Sequence, residues 1–146
     1  MKKILVIFLG IFVLISCKKE ETVPSTLVLS NTTVAGNYKT TAATINPIGS
    51  TLVFDFFNID TYYPPCQRDN LHTFTVAGMY AYADIGIFCT TPPAAPQTGP
   101  YTISNSDTTL TFSGKRYKVE TLTSTNMIIA FDSAAVGRVR LTLTKQ

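Results

Sequence analysis

The stretch "RVRLTLT", residues 138–144, alternates strictly between polar and apolar side chains. Successive side chains of a β-strand point to opposite faces. Val139, Leu141 and Leu143 therefore share one face, and the arginines and threonines share the other. This period of two predicts a strand that has one face against a core and the other in water.

Strand-like runs recur along the chain at intervals of about 8 to 15 residues, and segments rich in Gly, Asn, Ser and Asp separate them. The 23 threonines, together with many Tyr, Phe, Ile and Val residues, favour pleated structure, and Glu120 is the only glutamate after residue 22. We therefore predict an all-β fold, an antiparallel up-and-down barrel of about eight strands whose closure removes exposed edges. The predicted strands are 36–42, 51–57, 72–76, 79–85, 100–104, 109–112, 116–121, 127–131 and 138–144.

Two of these runs, 51–57 and 127–131, are apolar on both faces. A strand that is apolar on both faces is typical of one that is covered on both sides. We therefore expect both strands to be buried, and the short apolar segment 26–29 is a candidate cover.

The N-terminus begins with Lys2 and Lys3, followed by an apolar run from residue 4 to residue 15. Twelve apolar residues are fewer than the ~20 that a membrane-spanning helix needs, but they suit a secretory signal. The sequence "LISC", residues 14–17, resembles the lipobox of bacterial lipoproteins. The resemblance implies that a signal peptide, residues 1–16, is removed and that Cys17 becomes a lipidated N-terminus, which anchors the chain in a membrane.

The charged segment "KKEE", residues 18–21, resembles the tag that displays some Gram-negative lipoproteins on the outer face of the outer membrane. An alternative is that these charges only keep the tether solvated. We expect residues 17–34 to form a lipidated tether, and we expect the protein to be anchored in the outer membrane, with surface display left open.

A Gly-x-aromatic opening, Gly36-Asn37-Tyr38, is followed by Cys66-Gln67-Arg68-Asp69-Asn70 and by a second Gly-x-aromatic, Gly99-Pro100-Tyr101. With these segments, residues 35–145 of the predicted domain 35–146 resemble the lipocalin-like domain of small bacterial lipoproteins. The chain has tyrosine where that family usually has tryptophan, and it contains no tryptophan. The resemblance implies a barrel that binds a small apolar ligand. It is carried by Gly36-Asn37-Tyr38, Cys66-Gln67-Arg68-Asp69-Asn70, Thr73-Phe74, Gly78, Cys89, Gly99-Pro100-Tyr101 and the closing segments 117–123 and 139–143.

The lipocalin-like segments contain two cysteines, Cys66 and Cys89, which remain as an even pair if Cys17 is lipidated. Disulfides persist in exported proteins, so a Cys66–Cys89 disulfide is expected. Zinc is the rival interpretation, but the single histidine, His72, leaves too few ligands for a structural site. We expect no metal site.

Two loop features each allow a functional and a structural interpretation. Asp69 and Asn70, just before a predicted strand, could bind a ligand or could form an Asx turn that satisfies backbone amides. The proline-rich segment 90–96 cannot pair in a sheet, so it is either a lip over the barrel mouth or a stiff connection.

Candidate catalytic groups are scarce in this sequence. There is one histidine, no nucleophile elbow and no glycine-rich phosphate loop, so we expect neither an enzyme nor a cofactor. The formal charge of +3 falls to 10 basic against 9 acidic residues once residues 1–16 are removed. A balance this close to neutral gives no reason to expect nucleic-acid binding.

The predicted strand 79–85 places Tyr80, Tyr82 and Asp84 on one face. If that face is interior, it forms an aromatic-walled pocket with one polar group, as ligand sites often have. If it is exterior, it is a strip for a partner, and core packing explains the same alternation without any ligand. Three further aromatic residues complete the predicted ligand site: Phe54, Phe56 and Tyr117.

The sequence leaves two functions open. The first is a membrane-tethered barrel that binds a small, apolar ligand. The second is an interaction module that binds a protein or an envelope glycan through its loops, while its own side chains fill the barrel. A barrel of about eight strands can either fill itself or hold one small ligand, and the oligomeric state is not predicted.

Overall fold

A computed structural model describes residues 27–146 of the chain. The predicted signal peptide 1–16, the lipidation site Cys17, the charged segment 18–21 and residue 26 of the candidate cover lie outside the described residues.

Ten β-strands and two one-turn helices make up the domain, and the predicted all-β class is confirmed. No helix among residues 27–146 is long and apolar enough to cross a membrane. The strands are β1 (Gly36–Asn46), β2 (Phe54–Asp55), β3 (Leu71–Phe74), β4 (Met79–Ala83), β5 (Gln97–Pro100), β6 (Thr102–Ser104), β7 (Thr109–Phe112), β8 (Lys115–Leu122), β9 (Asn126–Ser133) and β10 (Gly137–Lys145), and the helices are α1 (Asn31–Val34) and α2 (Pro65–Arg68).

The strands form one antiparallel sheet in the order β5-β4-β3-β1-β10-β9-β8-β7-β6, with β2 paired only to β1. The two edge strands, β5 and β6, are consecutive in the chain and are separated only by Tyr101. One bent strand therefore passes from one edge of the sheet to the other, and the barrel is nearly closed. If β5 and β6 are counted as one strand and β2 is left out, the meander has the eight strands that the sequence predicts.

Tyr101 holds the bend between β5 and β6. Its backbone N–H donates to the carbonyl of Gly78 at 2.8 Å, and its hydroxyl donates to the carbonyl of Thr75 at 2.7 Å. The side chain is buried against the core. The bend is thus tied to the β3–β4 turn, where Gly78 adopts a positive φ of 80° that favours glycine.

The two ends of the barrel differ. One end, which we call the closed end, carries α1, the β3–β4 turn and the β8–β9 turn. There Leu29 and Val34 are buried in the core, and Ser30 caps α1 with its hydroxyl. The other end, which we call the loop end, carries the long β1–β3 and β4–β5 connections. The fold therefore places its irregular, adaptable segments together at one end.

The prediction that 51–57 is a covered strand is wrong. Only Phe54–Asp55 forms a strand, through a short pairing with β1, and Leu52 and Val53 are more than half exposed. The segment extends the sheet beside β1, which pairs with β3 at residues 36–39 and with β2 at residues 44–45. Its apolar run is therefore a feature of the surface.

The described part of the candidate cover, residues 27–29, lies away from 51–57. The N–H of Leu27 donates to the carbonyl of Leu122 at 2.7 Å, so the start of the described chain lies beside the last residue of β8. In β9, the other run that is apolar on both faces, Met127, Ile129 and Ala130 are buried. Burial was thus predicted correctly for these β9 residues and incorrectly for 51–57.

The outer face of the barrel carries an ion-pair cluster. Glu120 on β8 accepts hydrogen bonds from Arg140 at 2.5 Å and from Arg138 at 2.8 Å on β10, and Arg138 also reaches Asp132. These hydrogen bonds lower the pKa of the Glu120 carboxyl, and the bond from Arg140 has the largest effect. The alternation that predicted the outward face of β10 is confirmed.

Candidate functional site

Four aromatic rings fill the centre of the barrel. The ring of Phe112 stacks on Tyr117 at a centroid distance of 4.4 Å and lies 4.5 Å from Tyr80 and 5.2 Å from Phe74. None of the four residues is more than 8% exposed. Tyr80 and Tyr117, two of the predicted ligand-binding residues, thus belong to the packed core.

A polar layer follows this aromatic centre toward the loop end. Nδ1 of His72 lies 2.9 Å from the Tyr80 hydroxyl, its Nε2 lies 3.5 Å from Oγ1 of Thr40, and its ring lies 4.9 Å from the ring of Tyr82. Burial lowers the pKa of His72 to about 4 and raises the pKa of Tyr80. Both side chains are therefore neutral at pH 7.

Asn70 fastens the loop end to the barrel. With its amide oriented so that each donor meets an acceptor, it accepts from the Tyr82 hydroxyl at 2.6 Å and donates to the Asp84 carboxylate at 2.9 Å and the Cys66 carbonyl at 3.0 Å. It is only 3% exposed. Asn70 is therefore a structural residue, because its side chain forms its hydrogen bonds within the protein.

The neighbouring carboxylates hold the β4–β5 connection in the same way. Asp69 accepts from the N–H of Ile87 at 2.7 Å, and Asp84 accepts from the N–H of Cys89 at 3.0 Å. These bonds favour the structural interpretation of the Asp69-Asn70 pair, because the carboxylate satisfies a backbone amide.

The predicted disulfide between Cys66 and Cys89 is present, with a Cα–Cα distance of 5.1 Å. It joins α2 to the β4–β5 connection. Together with the bonds of Asn70, Asp69 and Asp84, it ties two otherwise separate connections into one unit at the loop end.

The β1–β3 connection folds over this end of the barrel. The ring of Tyr63 lies 5.2 Å from Phe57 and 6.3 Å from Phe56, and burial raises the pKa of its hydroxyl. Arg68 donates to the carbonyl of Phe57 at 2.8 Å and pairs with Asp60. Phe56 therefore lies in the cover of the loop end.

The six predicted ligand-binding residues do not form a single pocket. Tyr80 and Tyr117 are in the core, and Tyr82 and Asp84 line a small cavity at the loop end. Phe56 packs near Tyr63, whereas Phe54 is 49% exposed on β2, beside the part of β1 that lies at the loop end.

The small cavity has a volume of about 160 Å³. Its walls come from α2, β4 and the proline-rich segment 90–96, so that segment is partly a lip, as one of its two interpretations predicted. Small-molecule sites usually measure about 300 Å³ or more. The cavity is lined by, among others, Asn70, Tyr82, Asp84, Cys89, Ala95 and Gln97.

A larger open groove of about 660 Å³ lies outside the barrel at the closed end. One wall of the groove is the start of the described chain, at Leu27 and Val28. The other wall is the end of β8, which continues beyond Lys118, the last β8 residue that pairs with β7. The groove is separate from the residues that the sequence selected as a ligand site.

The most unusual feature of the loop end is a set of exposed apolar side chains, which we call the loop surface. Large apolar side chains that are exposed together on the loops of one end of a fold are one mark of an interaction site. Sequence reasoning missed it because apolar runs were assigned to the core. The loop surface consists of Ile48, Leu52, Val53, Phe54, Ile59, Tyr62, Ile87 and Phe88, each 44–71% exposed.

The charges near the loop surface are mainly negative. The connections that carry it, 47–70 and 84–96, contain four aspartates and one arginine. The arginine, Arg68, is already paired with Asp60. The surroundings of the loop surface therefore favour a positively charged neighbour.

Within residues 27–146, no group of three or more His, Cys, Asp or Glu side chains could hold a metal ion. The chain matches no family model, no curated protein and no solved structure. The geometry of the barrel and its loop end is thus the basis for the functional proposals.

Proposed function

We propose that this protein is a membrane-anchored lipoprotein whose self-filled barrel presents the loop surface to a protein partner. One contrast carries the proposal. The rings of Phe74, Tyr80, Phe112 and Tyr117 occupy the interior, while eight large apolar side chains are exposed at the loop end. Apolar side chains that are exposed on loops, on a barrel whose interior is filled, suit recognition of another macromolecule.

The composition of the loop surface favours a protein over a glycan. Five of its eight side chains are aliphatic, namely Ile48, Leu52, Val53, Ile59 and Ile87. The centre of a protein interface is typically apolar and poor in charged residues. Tyr62 and Phe88 add the aromatic type that often contributes most to binding energy.

The position of Leu27 supports the membrane anchor as part of the same proposal. The described chain begins at Leu27, beside Leu122 at the closed end. A tether attached there would leave the barrel at the end opposite to the loop surface. An anchor at Cys17 would then direct the loop surface away from the membrane and toward a partner.

Binding of a small apolar ligand stays the second hypothesis. Its support is that Tyr82 and Asp84 do line a cavity, as predicted. The volume of about 160 Å³ is small for such a ligand.

Site-specific photo-crosslinking in whole cells tests the proposal. A photoreactive phenylalanine analogue replaces Phe88 or Tyr62 on the loop surface, and Val76, 59% exposed at the closed end, is the matched control position. We expect a discrete protein adduct from the two loop positions and none from Val76. Ile87→Asp in the Tyr62 background should remove the adduct, because it places a charge on the apolar surface.

The opposite pattern would overturn the proposal. Equal adducts at Val76 and at the loop positions, or adducts that survive Ile87→Asp unchanged, would show that the loop surface is not the binding surface. If neither loop position gives an adduct, the proposed protein partner is rejected.

A further inference from the structure

We propose that the small cavity at the loop end receives one lysine side chain of the partner. The inference rests on the proposed function, since the cavity lies between the connections that carry the loop surface. It goes further, because it assigns a chemical identity to one contact of that interface.

The charge of the cavity wall comes from Asp84. Its two carboxylate oxygens accept hydrogen bonds from the N–H of Cys89 and from the amide of Asn70. Asp84 has no ion-pair partner among residues 27–146. Because each carboxylate oxygen has two lone pairs, Asp84 can still accept from a cation.

Part of the wall suits an alkyl chain, and Gln67, Thr90 and Gln97 complete it. The Tyr82 ring, the half-cystine Cys89 and the methyl groups of Ala94 and Ala95 line the cavity. Lysine combines an apolar stem of four methylenes with a charged head, and such side chains pack their stems along apolar surface. The arrangement therefore matches both parts of a lysine.

The size of the cavity also fits. Its volume of about 160 Å³ corresponds to about five water molecules at ~30 Å³ each. A lysine side chain has five non-hydrogen atoms beyond Cα. Arginine is a poorer match, because its side chain is larger than that of lysine and ends in a broad planar group.

The experiment uses two small probes, Nα-acetyl-lysine-N-methylamide and its uncharged analogue with a norleucine side chain. Each is titrated at millimolar concentrations into the isotope-labelled full chain, and backbone amide shifts are followed by NMR. We expect the lysine probe to shift the amides of Tyr82, Asp84 and Ala95, and to bind about tenfold more tightly than the norleucine probe, as a charge-assisted contact implies.

Two variants separate recognition from misfolding. Asp84→Asn removes the charge but keeps an oxygen for the Cys89 N–H, and Ala95→Leu fills the cavity from an exposed loop position. Both should abolish the lysine-dependent shifts, while Asp55→Asn, which alters a carboxylate on the outside of the barrel, should not. Unchanged shifts elsewhere in the spectrum report an intact fold.

Three outcomes would overturn the inference: equal binding of both probes, binding that survives Asp84→Asn, and no shifts at the cavity. The proposed function fails differently, through loss of the adducts at Tyr62 and Phe88. If the adducts form normally but the lysine probe does not bind the cavity, the lysine pocket is rejected and the proposed interaction surface still stands.

Discussion

The hydroxyl of Tyr80 lies 2.9 Å from Nδ1 of His72, where the aromatic centre of the barrel meets its polar layer. Tyr80 packs against Phe74 and Phe112 on one side and reaches His72 on the other. Burial in this packed interior keeps His72 neutral, so the packing of the interior and the protonation of His72 depend on each other.

The first prediction concerns the pH dependence of stability. The pKa of His72 falls from 6.5 to about 4 on folding, so the unfolded chain takes up a proton first as the pH falls. The folded state should therefore lose about 2 kcal/mol of unfolding free energy between pH 7 and pH 5, and the loss should level off below pH 4. Urea denaturation across this range measures the effect.

His72→Gln is the control for this prediction, because a glutamine does not titrate and can still reach the Tyr80 hydroxyl. Its stability should change much less between pH 7 and pH 5. The depressed pKa of Glu120 acts only at lower pH, below the ordinary range of a glutamate, so it does not obscure this window. A wild-type protein equally stable at both pH values would contradict the assignment.

The second prediction concerns the aromatic centre. Phe112→Ala removes a ring that contacts Phe74, Tyr80 and Tyr117, and it should lower the free energy of unfolding by about 3–5 kcal/mol. Phe54→Ala removes a ring that is half exposed on the outside, and it should change stability by only about 0.5 kcal/mol. Similar losses in chemical denaturation of the two variants would argue against a packed centre.

The third prediction concerns the disulfide. The bond between Cys66 and Cys89 closes a loop with a sequence separation of 23. The double replacement Cys66→Ser and Cys89→Ser should lower stability by about 3 kcal/mol in the chain-entropy model. Thermal unfolding of the oxidised protein and of this variant measures the difference. A variant as stable as the wild type would show that the loop end does not depend on its covalent link.

The fourth prediction concerns the anchor. Cys17→Ala should move the protein from the membrane fraction to the soluble fraction, because the thiol is the expected site of lipid attachment. Ser25→Ala changes a residue of the tether and should leave fractionation unchanged. Retention of the Cys17→Ala protein in the membrane fraction would refute lipidation.

The sequence predicted the strands best where polar and apolar residues alternate. Strands β7 to β10 begin and end within two residues of the predicted bounds, because their alternation is set by one buried face. Alternation also correctly grouped Tyr80 and Tyr82. It failed for residues 51–57, because an apolar run carries no sign of whether another layer lies above it.

The nature of the site could not be predicted in the same way. Whether the barrel is hollow depends on how rings from distant strands meet, as Phe74 and Phe112 do at 5.2 Å. The loop surface escaped prediction because exposed and buried leucine or isoleucine residues look identical in a sequence. The cysteine pair, in contrast, was predictable because its chemistry allowed few partners.

Native mass spectrometry of the protein isolated from its own cells shows whether side chains alone fill the barrel. We expect the mass of the polypeptide with the predicted covalent lipid and no further apolar molecule. An apolar molecule retained at one per chain would contradict a filled barrel.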